Sequence, residues 1–171
     1  MNRPAENEFA PFYTKYIANI TENNVLPVLA RQLQDVETVL NGINPERETY
    51  TYALGKWSIR ELIGHLIDSE RIFGYRAFCI SRGEKAPLPA FEENDYVANS
   101  DYRNIDLKHL LTEFTYLRKS NLEFLNRLTE KEWVLTGVMS GNPASVRAIA
   151  YIIAGHVDHH LGVLKRLYSA G

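Results

Sequence analysis

Two histidines, His156 and His160, stand where an apolar stripe should continue. The stripe runs Ile149, Ile152, Ile153, His156, His160, Val163, Leu164 and Leu167, the three- and four-residue steps of one buried helix face. Residues four apart lie about 40° apart around a helix and one turn apart along it, so both rings can address one ion. Burying two imidazoles without partners would cost several kcal/mol, so a metal, core carboxylates or water must satisfy them. His65 is the third candidate, on the flank of a second stripe made by Leu62, Ser69, Phe73 and Ile80. Three convergent imidazoles with no fourth protein ligand leave room for water or substrate, which is the pattern of a catalytic rather than a closed structural site.

The remaining chemistry-bearing residues carry weaker signals. His159 is turned about 100° from His160 and is expected at a rim or in solvent. His109 and Asp158 fall on outer faces. Asp68, one turn from His65, either orients that ring or pairs with Arg71 across the surface. Arg76, on an inward face, reads as half of a buried ion pair, and Glu113 is the best-placed acid for a wall of the site. Cys79 lies about 21 Å along the helix from His65, out of reach of the same metal. Trp57, Tyr50 and Tyr52 either line the mouth of the site or pack on a bundle end. There is no Gly-rich phosphate loop, no Cys-x-x-Cys and no credible Ser–His–Asp or Cys–His pattern.

Four helical segments would position these residues, over about 24–40, 58–82, 106–128 and 145–168. Pro27 sits in a first turn, where its missing N–H costs nothing. Ser58 with Glu61, and Thr129 with Glu132, form capping boxes, and Ser145 is a further N-cap. No strand pattern competes; 48–54 has some β character but is short, and 9–20 reads as a short helix or an arm. The linker 83–105 has 23 residues, enough at ~3.3 Å each to travel the length of a bundle, whereas an up-down neighbour would need two to eight. His65 stands about 10 Å from the start of its helix and His160 about 12 Å from the end of its own, so they meet at one level if those helices are antiparallel. The expectation is an all-α four-helix bundle whose second and third helices run parallel, joined by a long crossover.

Composition bounds the rest. A chain of 171 residues with 45% hydrophobic and 23% charged residues reads as one ordinary globular domain over 1–171. Nineteen basic against twenty-one acidic residues leave a net charge of −2, with no basic surplus for nucleic acid. The single Cys79 excludes an internal disulfide and a Cys-rich zinc site, and fits a reducing cytoplasm. The first twelve residues lack the apolar core of a signal peptide. The longest apolar run, 148–154, is far short of the ~20 residues a membrane helix needs.

The sequence resembles the DinB superfamily, in its short bacterial members. The likeness rests on Gly55-Lys56-Trp57-Ser58-Ile59 leading to Gly64-His65-Leu66-Ile67-Asp68-Ser69-Glu70-Arg71, then Tyr75-Arg76-Ala77 and Ser81-Arg82-Gly83-Glu84. Pro87-Leu88-Pro89-Ala90-Phe91 and the closing Gly155-His156-Val157-Asp158-His159-His160-Leu161 complete it. The resemblance implies an up-down-down-up four-helix bundle, a divalent metal on His65, His156 and His160, and a homodimer. It also implies small-molecule chemistry that differs among members: transfer to a low-molecular-weight thiol such as bacillithiol, mycothiol or glutathione, or metal-dependent hydrolysis. Three functions follow for this chain: a Zn²⁺- or Ni²⁺-dependent thiol S-transferase, a hydrolase using water at the same site, and a non-catalytic stress or ligand-binding bundle whose metal is structural.

Overall fold

The computed structural model describes residues 2–168, so residue 1 and residues 169–171 of the expected 1–171 unit lie outside the described residues. The element order is α1 (Thr14–Asn19), α2 (Val25–Asn41), α3 (Ile59–Ser81), α4 (Glu93–Ala98), α5 (Leu107–Leu125), α6 (Glu130–Trp133), β1 (Thr136–Met139), β2 (Asn142–Ser145) and α7 (Val146–Val163). A π-helical turn, Leu164–Tyr168, continues α7. The starts follow the caps legible in the sequence. The Ser58 and Thr129 side chains accept from the Glu61 and Glu132 N–H groups, with both glutamates answering, and Ser145 accepts from Ala148.

Helix directions follow from which residues meet. Along α3 and α5, Arg60 reaches Asp106, Glu70 reaches Arg118 and Phe78 packs on Phe124, rising together, so these helices are parallel. Between α3 and α7 the order reverses: Phe73 meets His156, and His65 meets both His156 and His160. Trp57, just ahead of α3, meets Tyr168 beyond α7. These two helices are antiparallel. The bundle is therefore up-down-down-up, and 83–105 is the crossover, carrying α4 as it passes.

The core forms two clusters. Val25, Val28 and Leu29 of α2 pack with Ile149, Ile152 and Ile153 of α7 toward one end. Val36, Leu40, Ile63, Ile67, Leu110, Phe114 and Leu161 fill the other. Gly155 lets α1 lie directly on α7: a Cβ there would stand 1.9 Å from the Tyr16 carbonyl oxygen. That close approach brings the Tyr16 ring to the histidines.

One element departs from the all-helical expectation. β1 and β2 form a hairpin, turning at Ser140 (φ 51°) and Gly141 (φ 76°), the two consecutive left-handed residues of a primed turn. Leu88 of the crossover adds to it, donating to the Val138 carbonyl and accepting from Ser140 N–H. Each strand has only four residues and one contains Pro143, so alternation is too short to register in the sequence. No helix among the described residues is long and apolar enough to cross a membrane.

Candidate metal centre

His65 projects from α3, and His156 and His160 from adjacent turns of α7, into one point of the bundle interior. Their ligand atoms all lie within 4.8 Å of one another. The Nε2 atoms of His65 and His156 are 3.0 Å apart, and those of His160 and His156 are 3.1 Å apart. His65 and His156 are buried and His160 is half-buried, so solvent reaches the cluster at His160.

Aromatic rings wall the closed sides. The Trp57 indole lies on His65 at 4.7 Å between centroids. Tyr16 meets His156 edge-on at 5.3 Å, with Phe73 behind it at 6.4 Å. The open side is a cleft of about 360 Å³, shared by His160 and His159 with Tyr52, Trp57, Glu93 and Asn94. Of the two placements open to these aromatics, Trp57 and Tyr52 line the mouth, while Tyr50 and Tyr52 both pack on Tyr168. His159 takes the rim position, His109 and Asp158 are exposed, and Cys79 packs against the core far from the cluster.

Burial favours the neutral imidazoles. It holds His65 down at about 4 and His160 at about 3. His156 is lowered well below its ordinary value by burial first and by the neighbouring rings second. Each ring therefore offers a lone pair at neutral pH. Lone pairs about 3 Å apart repel unless a proton or a cation lies between them. Nitrogen–metal bonds of ~2.0–2.1 Å at angles between 90° and tetrahedral place the nitrogens about 3.0–3.4 Å apart, so the spacing fits a divalent ion.

These shifts have a consequence for the chelator-treated protein. An unfolded histidine titrates near about 6.5, so as pH falls the unfolded chain takes up protons that the folded triad refuses. Stability is intact above pH ~6.5 and erodes as pH falls toward the folded values. By pH ~5 the loss is about 2 kcal/mol for each ring kept neutral, before most carboxylates titrate. Urea unfolding of metal-free protein between pH 7 and 5 checks this; a flat midpoint across that window refutes it.

Two carboxylates and one arginine depart from expectation. Asp68 does not hold His65: it accepts a 2.7 Å hydrogen bond from the Tyr102 hydroxyl instead. Nδ1 of His160 is buried with no partner among the described residues. Glu113 forms an ion pair with Arg71 away from the cleft. Arg76 is buried as expected, but no carboxylate among the described residues pairs with it. It donates to the Pro89 carbonyl at 2.6 Å and to Ser140 Oγ at 3.1 Å.

The acid at the cleft is Glu93, from the first turn of α4. Desolvation raises its pKa, with Glu92 adding to the rise and Lys15 opposing it. Nothing local in the sequence marks Glu93, because only the path of the crossover brings it there. Tyr16 is missed because only the docking of α1 on α7 at Gly155 brings its ring to His156. Sequence reading also overlooked the buried pair Glu70–Arg118, in which Nε and Nη2 donate to the two carboxylate oxygens at 2.8 and 2.9 Å.

Comparison with known proteins agrees with this fold. A metal-dependent hydrolase, provisionally so named, from Oceanobacillus iheyensis is 28% identical over 130 residues, 75% of this chain and 74% of its own. Another, from Bacillus licheniformis, is 27% identical over 129 residues, covering 72% and 71%. Among solved structures, YfiT from Bacillus subtilis, described as having an unusual four-helix bundle topology, superposes with TM-score 0.71 at 18% identity, over 96% of this chain and 90% of its own. The mycothiol-dependent maleylpyruvate isomerase gives 0.69 at 11% identity, over 85% of this chain and 61% of the longer isomerase. At such identities the two structures attest the fold alone. The model of the DinB superfamily matches residues 29–164, and the chain, with its parallel central helices and convergent histidines, belongs to that superfamily.

Proposed function

We propose that this protein is a metal-dependent hydrolase in which His65, His156 and His160 hold one divalent cation, Zn²⁺ or Ni²⁺, and Glu93 is the general base. The observation that carries this reading is that one cleft is lined both by His160, the open edge of the triad, and by a partly desolvated carboxylate, Glu93. A bound dication supplies Lewis acidity and lowers the pKa of a water or thiol in the cleft. Imidazole ligands suit both metals.

The chain's own groups do the rest. The three neutral Nε2 atoms hold the cation without cancelling its charge. The Glu93 carboxylate accepts the proton that the attacking water loses, and its raised pKa lets it return that proton to the leaving group. Trp57, Tyr16 and Phe73 exclude bulk water from the closed sides of the triad. The names of the curated relatives support hydrolysis. A second reading, attack by a low-molecular-weight thiol in the same cleft, is favoured by the fold shared with a mycothiol-dependent enzyme.

Metal analysis of untagged protein should find one ion per chain, and chelation should abolish turnover of a panel of ester and amide substrates. Glu93→Gln is expected to keep the metal and lower kcat by about 100-fold or more, the usual worth of a general base. Full activity in either the chelated protein or this variant refutes the reading. Turnover that requires added thiol and releases a thioether selects the second one.

A further inference from the structure

Arg76 is 1% exposed, yet it has no anionic partner among the described residues. Nη2 makes both of its hydrogen bonds, to Pro89 O and Ser140 Oγ. Nη1 is buried and has no acceptor among the described residues. The guanidinium lies 5.4 Å from the Phe73 ring and 5.7 Å from Phe91, and the Tyr13 hydroxyl, a neutral group, favours its charged form. Cation–π contacts and two neutral acceptors offset only part of the desolvation of a full charge. Elsewhere in this chain the same problem is solved fully: Arg118, also completely buried, meets Glu70 with two hydrogen bonds.

The space beside Arg76 has the composition of a ligand site. A cavity of about 260 Å³ lies against it, walled by Tyr75, Leu88, Phe91 and Tyr96, with Arg71 at its edge and no carboxylate in its lining. It lies beside α4, whose Glu93 lines the metal cleft and whose Tyr96 lines this cavity. Since Phe73 is 6.4 Å from His156 and 5.4 Å from the guanidinium carbon, the cavity's charged end is within about 12 Å of the triad.

We infer that this cavity is a second binding site, for a small organic anion, in which the Arg76 guanidinium receives a carboxylate and the aromatic wall receives an apolar or aryl body. A carboxylate supplies both missing items, the countercharge and the acceptor for Nη1. A body of aryl size fits the volume and the rings. The inference stands whether or not the triad performs hydrolysis, because it concerns binding at a different arginine.

The test uses benzoate as probe and benzamide as its neutral isostere, with binding followed by calorimetry and by the Nε–H resonance of Arg76. Benzoate is expected to bind saturably to the wild type, at least 10-fold more tightly than benzamide, and to shift that resonance. His156→Ala should bind it equally well, which separates this site from carboxylate ligation at the metal. Arg76→Met should lose the preference for benzoate. The inference is overturned if benzoate and benzamide bind alike, if binding is lost in His156→Ala, or if Arg76→Met binds benzoate unchanged. Should Arg76→Met fail to fold, the wild-type preference and the Arg76 resonance decide the matter alone.

Discussion

Replacement of His156 by Ala is expected to abolish both metal binding and turnover while leaving the bundle helical. His156 is the middle of the triad, within about 3 Å of both other Nε2 atoms, so its loss leaves two ligands on separate helices. Removing an outer partner of a metal ligand typically costs 10–100-fold in affinity, and loss of a ligand itself should exceed about 100-fold. The fold should survive, because Ile149, Ile152, Ile153, Val157 and Leu161 still bury the same face of α7. Metal titration by calorimetry, with circular dichroism of the same samples, checks both halves. Wild-type affinity in the variant would remove the triad from the metal site. Collapse of helicity on chelation of the wild type would instead make the metal a structural staple, since a ligand that binds only the folded state stabilises it by mass action.

Glu70→Ala is expected to cost about 3–5 kcal/mol of folding stability, the largest effect of any single change distant from the histidine cluster. Its carboxylate is buried beneath α5 and holds the wholly buried Arg118 through two hydrogen bonds. Asn121 donates to it at 2.9 Å, and the Gln32 side chain accepts from Arg118 Nη1 at 2.9 Å while donating to the Ala154 carbonyl at 2.8 Å. One connected set therefore ties α2, α3, α5 and α7 together. Alanine leaves the guanidinium charged, buried and without a counter-ion, which costs more than the pair contributes. The double variant Glu70→Leu/Arg118→Met removes both charges and should recover most of the loss. Denaturant unfolding of the two variants checks this. A loss below about 1 kcal/mol in Glu70→Ala would mean that water reaches Arg118 and replaces its partner.

The contrast between Arg118 and Arg76 bears on how the bundle divides its work. Both guanidinium groups are removed from solvent. Arg118 is matched within the chain and serves the fold, whereas Arg76 lies between the crossover and the hairpin turn with donor capacity unused. Charges kept unpaired in a folded protein cost stability, and they persist where a ligand uses them.

His156 and His160 were legible as a pair because helix periodicity records which residues face inward. A polar residue on that stripe stands out against its apolar neighbours whatever packs on it. The caps at Ser58, Thr129 and Ser145 were legible because the groups they satisfy lie within three residues. The parallel run of α3 and α5 followed from the length of the linker, since chain reach bounds where the next helix can begin. These are local quantities, and the sequence by itself determined them. The tertiary structure decided who meets whom. Asp68 turned to Tyr102 rather than to His65, Glu93 reached the cleft from the crossover, and Glu70 found Arg118 48 residues away. Amphipathic periodicity specifies that a face is buried but not what covers it. Hydrophobic burial is nearly indifferent to the partner's identity, whereas hydrogen bonds, ion pairs and metal ligation depend on a few ångströms and on contacts made far along the chain.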